Sequence, residues 1–436
     1  ANTTASNNVA VGKSALVLNT TGTENVALGS LSLSANTTGS GNVAIGRECL
    51  QNATTANENT AVGKLAMSAN TTGASNVAVG HDSLRLNTEG NSNVAIGYDA
   101  LRANTTANDN TAVGYRSLDA NTTGTDNVAV GNQALSANTT ADNNTAVGDV
   151  ALSSNTTGFS NTAVGATAML GNTTGDQNTA VGANALDANT TADNNTAVGN
   201  AALGANNTGT ENTAVGSLSL DANTTGDTNV ALGYAALSAN TTADQNTAIG
   251  AVALLANTTG AANTAVGRSA LAANTTGQEN TSVGAGSLTS NTVGEYNVAV
   301  GKNALFTNVD GSRSTAVGYA ALAAQDPDSA SDLNNVAVGF HALNATTTGV
   351  ENTALGSETL EANTTGSFNT AAGYRALEAN SSGDENTGLG REALLSNTTG
   401  DNNVAVGQSA LQQNTTASNN TAVGYDSLKA NTTGDL

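Results

Sequence analysis

Apolar and polar positions recur every seventeen residues along the chain, in the unit Asn-Thr/Val-Ala-Val-Gly-x-x-Ala/Ser-Leu-x-x-Asn-Thr-Thr-Gly-x-x. We number the unit from its first asparagine, so that Asn8 is position 1 and Gly12 is position 5. The glycine returns at Gly29, Gly46, Gly63 and on to Gly318, then from Gly339 to Gly424, giving 25 copies. A short fixed period marks an array in which each repeat buries its apolar face against the next. No apolar stripe of helical spacing runs through the unit, and Asn, Gly and β-branched residues interrupt any helix. The pattern therefore predicts an all-β parallel β-solenoid, or β-roll, with one repeat per coil and about 25 coils. Within a coil it predicts a strand at positions 1 to 4, a corner at the glycine, a second short strand around positions 7 to 11, and a turn at Asn-Thr-Thr-Gly.

Each position has its own chemistry. Position 9 is leucine, as at Leu33, except where Met67 and Met169 replace it with a similar volume. Position 4 is Val, Ile or Leu apart from Ala372, position 2 is Thr or Val, and position 3, between them, is nearly always Ala. The expectation is a narrow interior built from a leucine ladder and a valine ladder. Position 8 takes only Ala, Ser, Thr or Cys49, which reads as a requirement for a small core side chain. Position 1 is Asn, as at Asn25, in all copies but Ser314, and position 12 is Asn, as at Asn36, except at Ala53, Gln325 and Thr346. Stacked side-chain amides at both positions are expected to hydrogen-bond from coil to coil. The invariant corner at Gly12 and its equivalents predicts a positive φ or no room for Cβ. Position 15 alternates between Gly22 or Gly39 and Ala56 or Ala107, so it needs no glycine-only conformation. At the inter-strand spacing, 25 such coils would extend roughly 115 to 120 Å.

Composition gives no place to divide residues 1–436, so the chain reads as a single continuous array with one irregular segment around 302–335. That segment carries a four-residue insertion, Asn308-Val-Asp-Gly311 in place of Asn-Thr-Thr-Gly, and Gln325-Asp-Pro-Asp328 with the sole proline; loops inserted in solenoids often carry function, a binding site among them, and are as often tolerated bulges. With no Trp and eleven other aromatics, no thick core can form, and burial must come from stacking repeat on repeat. A net charge of −22 argues against binding nucleic acid through phosphates. No stretch approaches the roughly 20 apolar residues of a membrane span, so no membrane contact is expected from this segment. The chain starts and stops within a repeat, and it reads as a fragment or processed product.

The strings Asn42-Val-Ala-Ile-Gly46 and Asn93-Val-Ala-Ile-Gly97, each with a Thr-Gly or Glu-Gly turn just upstream, resemble the head repeats of trimeric autotransporter adhesins. Similar units occur in bacteriophage tail-fibre shafts. The resemblance covers essentially the whole chain and implies a left-handed β-roll in which three identical chains form a fibre. That fibre would hold a binding surface away from a cell or virion, in contact with surface glycans or a host-cell surface. The function expected is thus a structural and adhesive extracellular fibre segment. A tail-fibre shaft or a self-assembling extracellular filament are the alternatives.

Candidate contact residues lie at position 6, just past the corner: Tyr98, Tyr115, Tyr234, Tyr319, Phe340, Tyr374 and Tyr425, with Lys13, Arg47, Lys64, Arg268, Lys302 and Arg391. Stacking should gather them into one aromatic and basic stripe, competent to contact a ligand or simply a solvated or subunit-facing edge. Acidic residues gather instead at positions 16 and 17, as at Glu24, Glu58, Asp109, Asp126 and Asp142. Their irregular mixing with Asn, Ser and Gln lacks the fixed aspartate of a calcium-binding roll. His81 and His341 lie in distant coils and no Cys/His metal spacing occurs, so no catalytic, cofactor or metal site is expected. The Asn-Thr-Thr tripeptides match a glycosylation sequon but read better as turn and ladder, and although their threonines could form ranks of the kind that bind ice, bulky and charged neighbours on the exposed edges argue against an ice plane.

Overall fold

The computed structural model describes residues 4–434 apart from residue 328. Asp328 of the inserted segment thus lies outside the described residues. The chain forms two compact units, Ala1–Asn212 and Thr213–Leu436. Among the described residues the first unit holds twelve three-residue strands, from Val9–Val11 to Thr196–Val198. The second holds thirteen of that length, from Thr213–Val215 to Thr421–Val423, and no helix occurs in either. Within each unit every strand pairs in parallel with its counterpart one repeat on, like position against like: Val43 on Thr60, Ala44 on Ala61, Ile45 on Val62. The fold is an all-β parallel β-solenoid with one seventeen-residue repeat per turn.

Asparagine holds the coils together. At position 1, Asn42 donates its backbone N–H (3.0 Å) and its Nδ2 (3.1 Å) to Oδ1 of Asn25 in the preceding coil. At position 12, Asn36 Nδ2 donates to Asn19 Oδ1 at 2.8 Å. The two ladders meet at the position 15 carbonyl, where Gly39 O accepts from Asn25 Nδ2 at 2.8 Å and from Asn36 Nδ2 at 3.0 Å. Asn25 and Asn36 are fully buried, and so is nearly every equivalent. A buried amide is tolerated when its donors and acceptors are met, and here the neighbouring coil meets them.

The exceptions follow the same accounting. Ser314 is too short to continue the position 1 ladder, and Gln325, at position 12 of the same coil, reaches across to it (3.1 Å). Gln325 Oε1 then accepts from Asn335 Nδ2 at 3.1 Å, replacing the missing rung, while its Nε2 donates to Asn308 Oδ1 at 3.0 Å. Ala53 has no such compensation, and Asn36 Oδ1, which would accept from it, is buried without a partner.

The glycine corner is doubly constrained. Its φ lies near +140°, as at Gly114 (φ +139°), where a Cβ would sit 2.2 Å from the oxygen and 2.7 Å from the carbonyl carbon of Gly131 in the next coil. Gly22 and Gly39 at position 15 show no such φ, in keeping with the alanines found there.

Two expectations fail. The valine ladder is not interior: in the strand Val43–Ile45 it is Ala44 that is fully buried, while Val43 and Ile45 face outward and are half-buried. The cause is thickness. Leucine at position 9 reaches across the coil to position 3, where a Cβ on Gly388 would lie 3.3 Å from Leu377 Cδ1, so the facing residue must be small. Nor is there a second strand. Positions 6 to 11 form two consecutive turns, closed by Ser32 N to Gly29 O (3.4 Å) and Asn36 N to Leu33 O (3.2 Å). Positions 7 and 9 adopt positive φ, as at Leu31 (61°) and Leu33 (47°). For a leucine this backbone costs roughly 1–2 kcal/mol. The alternation aims successive N–H groups in opposite directions along the stack, Leu31 N to Lys13 O of the preceding coil (2.9 Å) and Leu33 N to Cys49 O of the following one (3.1 Å). Turn backbone thereby bonds between coils as a strand would.

Two stability measurements test this arrangement. Ala53→Asn should raise the thermal midpoint by restoring a donor to Asn36 Oδ1, a gain of about 1 kcal/mol or more; a fall would show that the orphan oxygen is not the weak rung. Leu135→Ala should lose about 2–5 kcal/mol, whereas Val130→Ala, on the outer face, should lose well under half of that. Equal losses would return valine to the interior.

Candidate binding surface

The position 6 residues follow a glycine corner that leaves them at the start of the turn segment, pointing out of the coil. Tyr98 and Tyr115 are 47% and 48% exposed, and Tyr234 is 59% exposed. Parallel in-register stacking brings like positions of successive coils together. In the first unit this yields a run in which His81 stacks on Tyr98 (5.3 Å between centroids) and Tyr98 on Tyr115 (5.6 Å). In the second unit Tyr319 stacks on Phe340 (5.5 Å), and His341, from position 7, lies on Phe340 (4.1 Å). Tyr374 carries the Arg375 guanidinium 6.0 Å from its ring centre. Tyr234, flanked by Ser217 and Ala251, and Tyr425 make no ring contact among the described residues. The single stripe expected from sequence is therefore two short stacks and three separate rings. Small side chains such as Ala166 and Ala183 occupy the coils between them.

Stacking changes what these rings offer. Within a run the faces between neighbouring rings are covered, so a middle ring such as Tyr98 presents mainly its edge and hydroxyl. Positions 7 and 10 complete the edge. Asp82 lies 3.1 Å from His81 and 3.7 Å from Arg85, and Arg116 lies 3.7 Å from Asp99 and 3.9 Å from Asp119. Burial pushes the Asp119 carboxyl above its ordinary range, against the opposing pull of Arg116 and Arg102. Sequence reasoning missed these residues because it placed positions 7 to 11 on a strand, whose alternation would have separated 7 from 10. The available signal was the run of charge at both positions in three successive coils, Asp82 and Arg85, Asp99 and Arg102, Arg116 and Asp119.

The acidic edge has a structural share. At position 16 the side-chain oxygen of one coil accepts the backbone N–H of the coil before it: Asn57 from Ser40 (2.9 Å), Asp142 from Thr125 (2.7 Å), Ser312 from Glu295 (3.0 Å). Asp, Asn and Ser interchange there because each supplies that oxygen, which accounts for the mixing of those three at position 16. Glu358, Glu361 and Glu378 form a tight carboxylate group, but Arg375 pairs with Glu378 and lies 3.7 Å from Glu358.

The Asn-Thr-Thr turns are likewise committed. Their asparagines are buried ladder members, and the first threonine donates its hydroxyl to the next coil, as Thr37 Oγ1 does to Thr54 O at 3.0 Å. A single rank of exposed threonine hydroxyls remains. In the irregular segment Gly311–Ser312 pairs in parallel with Ser331–Asp332. Beside this pair is a hollow of about 490 Å³ lined by Thr276, Val293, Glu295, Ser312, Ser331 and Asp332 among others. No protein-family model and no curated protein sequence matches this chain.

Cys49 is fully buried at position 8, its Sγ 3.2 Å from Ala61 O, and burial pushes its thiol up to about 12. The folded chain should therefore resist a thiol-specific disulfide reagent at pH 8 and react once denatured. Rapid reaction in the native state would place the thiol at the surface.

Proposed function

We propose that the chain is a structural and adhesive fibre segment, exposed on a cell or virion surface, which extends and presents a contact edge. The observation that carries this reading is the division of labour within each coil. Backbone and asparagine are committed to coil-to-coil bonding, while the position 6 aromatics stand about half-exposed on the outer edge. A scaffold of this kind can change its outward residues without altering its ladders, which suits presentation of a surface rather than enclosure of a substrate.

A second outward face supports assembly with copies of itself, a homotrimer in the first instance. Positions 2 and 4 form two columns of Thr, Val, Ile and Leu on the outer side of each sheet, with Leu232 and Leu355 44% and 45% exposed. Uncharged β-branched columns on a regular sheet suit face-to-face packing between chains.

Two measurements test these halves separately. Light scattering should give the mass of three chains; a monomer would overturn the trimer, and polymers without a fixed size would favour a filament. Replacing Tyr98 and Tyr115 together by alanine should lower attachment to cells or immobilised glycans by about tenfold with the circular dichroism unchanged. Undiminished attachment would remove the stacked edge from the contact surface.

A further inference from the structure

The second unit holds a hollow of about 300 Å³ on the position 6 edge, bordered by Arg268, Ala285, Gly286, Lys302, Asn303 and Phe306 among others. Its origin is an omission in one coil. Position 6 runs Arg268, Ala285, Lys302, and the residue after Ala285 is Gly286, with φ +70° and a notional Cβ only 2.8 Å from Asn303 Oδ1. That coil contributes neither a long position 6 side chain nor any position 7 side chain, and a rung is missing from the ladder.

Two cations border the gap. Arg47, Arg116, Arg375 and Arg391 are each held by a neighbouring carboxylate. Arg268 and Lys302 have no ion pair among the described residues, as is also true of Lys13, Lys64 and Arg102. From Tyr234 to Asn344, positions 6, 7 and 10 carry no Asp or Glu, although the chain as a whole has a net charge of −22. Here an anion meets two cations and no facing repulsion. Phe306, 39% exposed, supplies an apolar wall, and the Ala285 methyl lies at the floor. The Thr289 hydroxyl is already committed to Ser269 O at 2.9 Å, which leaves the cations as the principal recognition groups.

Size selects the ligand class. Arg268 and Lys302 leave the backbone two coils apart, roughly 10 Å, a span set by the strand spacing. Both long side chains can close on one anionic group across that span, while the hollow is far larger than such a group needs and is walled by Phe306, which suits an anionic group carried on a ring. We propose that the missing rung binds an acidic sugar residue, with its carboxylate or sulfate group between Arg268 and Lys302 and its apolar face against Phe306. The proposal rests on the reading of position 6 as the contact edge and names the ligand class for one part of it.

The test titrates the full chain with a galacturonic acid tetrasaccharide, the matching galactose tetrasaccharide and sodium sulfate, by calorimetry at low and physiological salt. The acidic tetrasaccharide should bind at least about tenfold more tightly than the neutral one and weaken as salt rises. Ala285→Tyr fills the gap with a residue that position 6 already accepts at Tyr319, and it should abolish binding while leaving the melting temperature unchanged. Arg268→Ala with Lys302→Ala should weaken binding by about tenfold or more. Equal binding of the neutral sugar, equal affinity for sulfate alone, or unaltered binding by Ala285→Tyr would overturn the proposal. These readings use a soluble ligand and do not depend on chain number or on Tyr98 and Tyr115. Their failure therefore leaves the fibre reading to its own tests.

Discussion

The structure depends on one constraint: nearly every coil buries two asparagine amides, whose donors and acceptors are met by the neighbouring coils and by the coil's own position 15 carbonyl, with Asn36 Oδ1 the exception opposite Ala53. An amide left unmet in such a position costs about 1–3 kcal/mol, so a mismatch repeated along the stack would exceed the stability of an ordinary domain. The repeat length follows from this. Seventeen residues return Asn25 to Asn42 and Asn19 to Asn36 in register, and the one longer coil, with 21 residues from Ser314 to Asn335, keeps its bonds by placing the extra residues outside the ladders and Gln325 within them. The pairing of Ser314 with Gln325 shows the constraint acting on sequence, since the shortened rung and the lengthened one occur in the same coil and complete each other.

The thin interior is a second consequence. With the amides filling one side of the coil, the apolar space holds one layer of leucine facing alanine, and larger strand residues are turned outward. The consecutive turns after the glycine then carry repeated positive φ at leucine and at other non-glycine residues. That backbone is unfavourable residue by residue. It persists because the alternation lets the N–H groups of positions 7 and 9 find carbonyls in the two adjacent coils, and because leucine in that conformation reaches the space opposite alanine.

Function is left to whatever points away from the ladders. The corner glycine directs position 6 outward in every coil, and register stacking decides which of those side chains meet. Where aromatics follow one another, as at Tyr98 and Tyr115, the faces between them are covered and the edges remain. Where small residues intervene, as at Ala285 between Arg268 and Lys302, a gap remains that is one rung deep. The same periodicity thus produces both closed stacks and open slots.

The sequence by itself determined the period, the all-β solenoid, the buried leucine and both asparagine ladders, because a requirement repeated in every coil is written 25 times and noise averages out. It also located the outward position 6 edge, since residues free of the ladders are the ones that vary. Tertiary structure alone decided which face of the strand is inside. Alternation places positions 2 and 4 opposite position 3, but hydrophobicity favours valine for the core, and only the reach of Leu377 across to Gly388 reveals that the space takes alanine. It alone also decided that positions 6 to 11 turn rather than extend, because positive φ at leucine contradicts local propensity and is stabilised by bonds to other coils. Grouping of positions 6, 7 and 10 into one surface depends on those turns, and for that reason it could not be read from the chain.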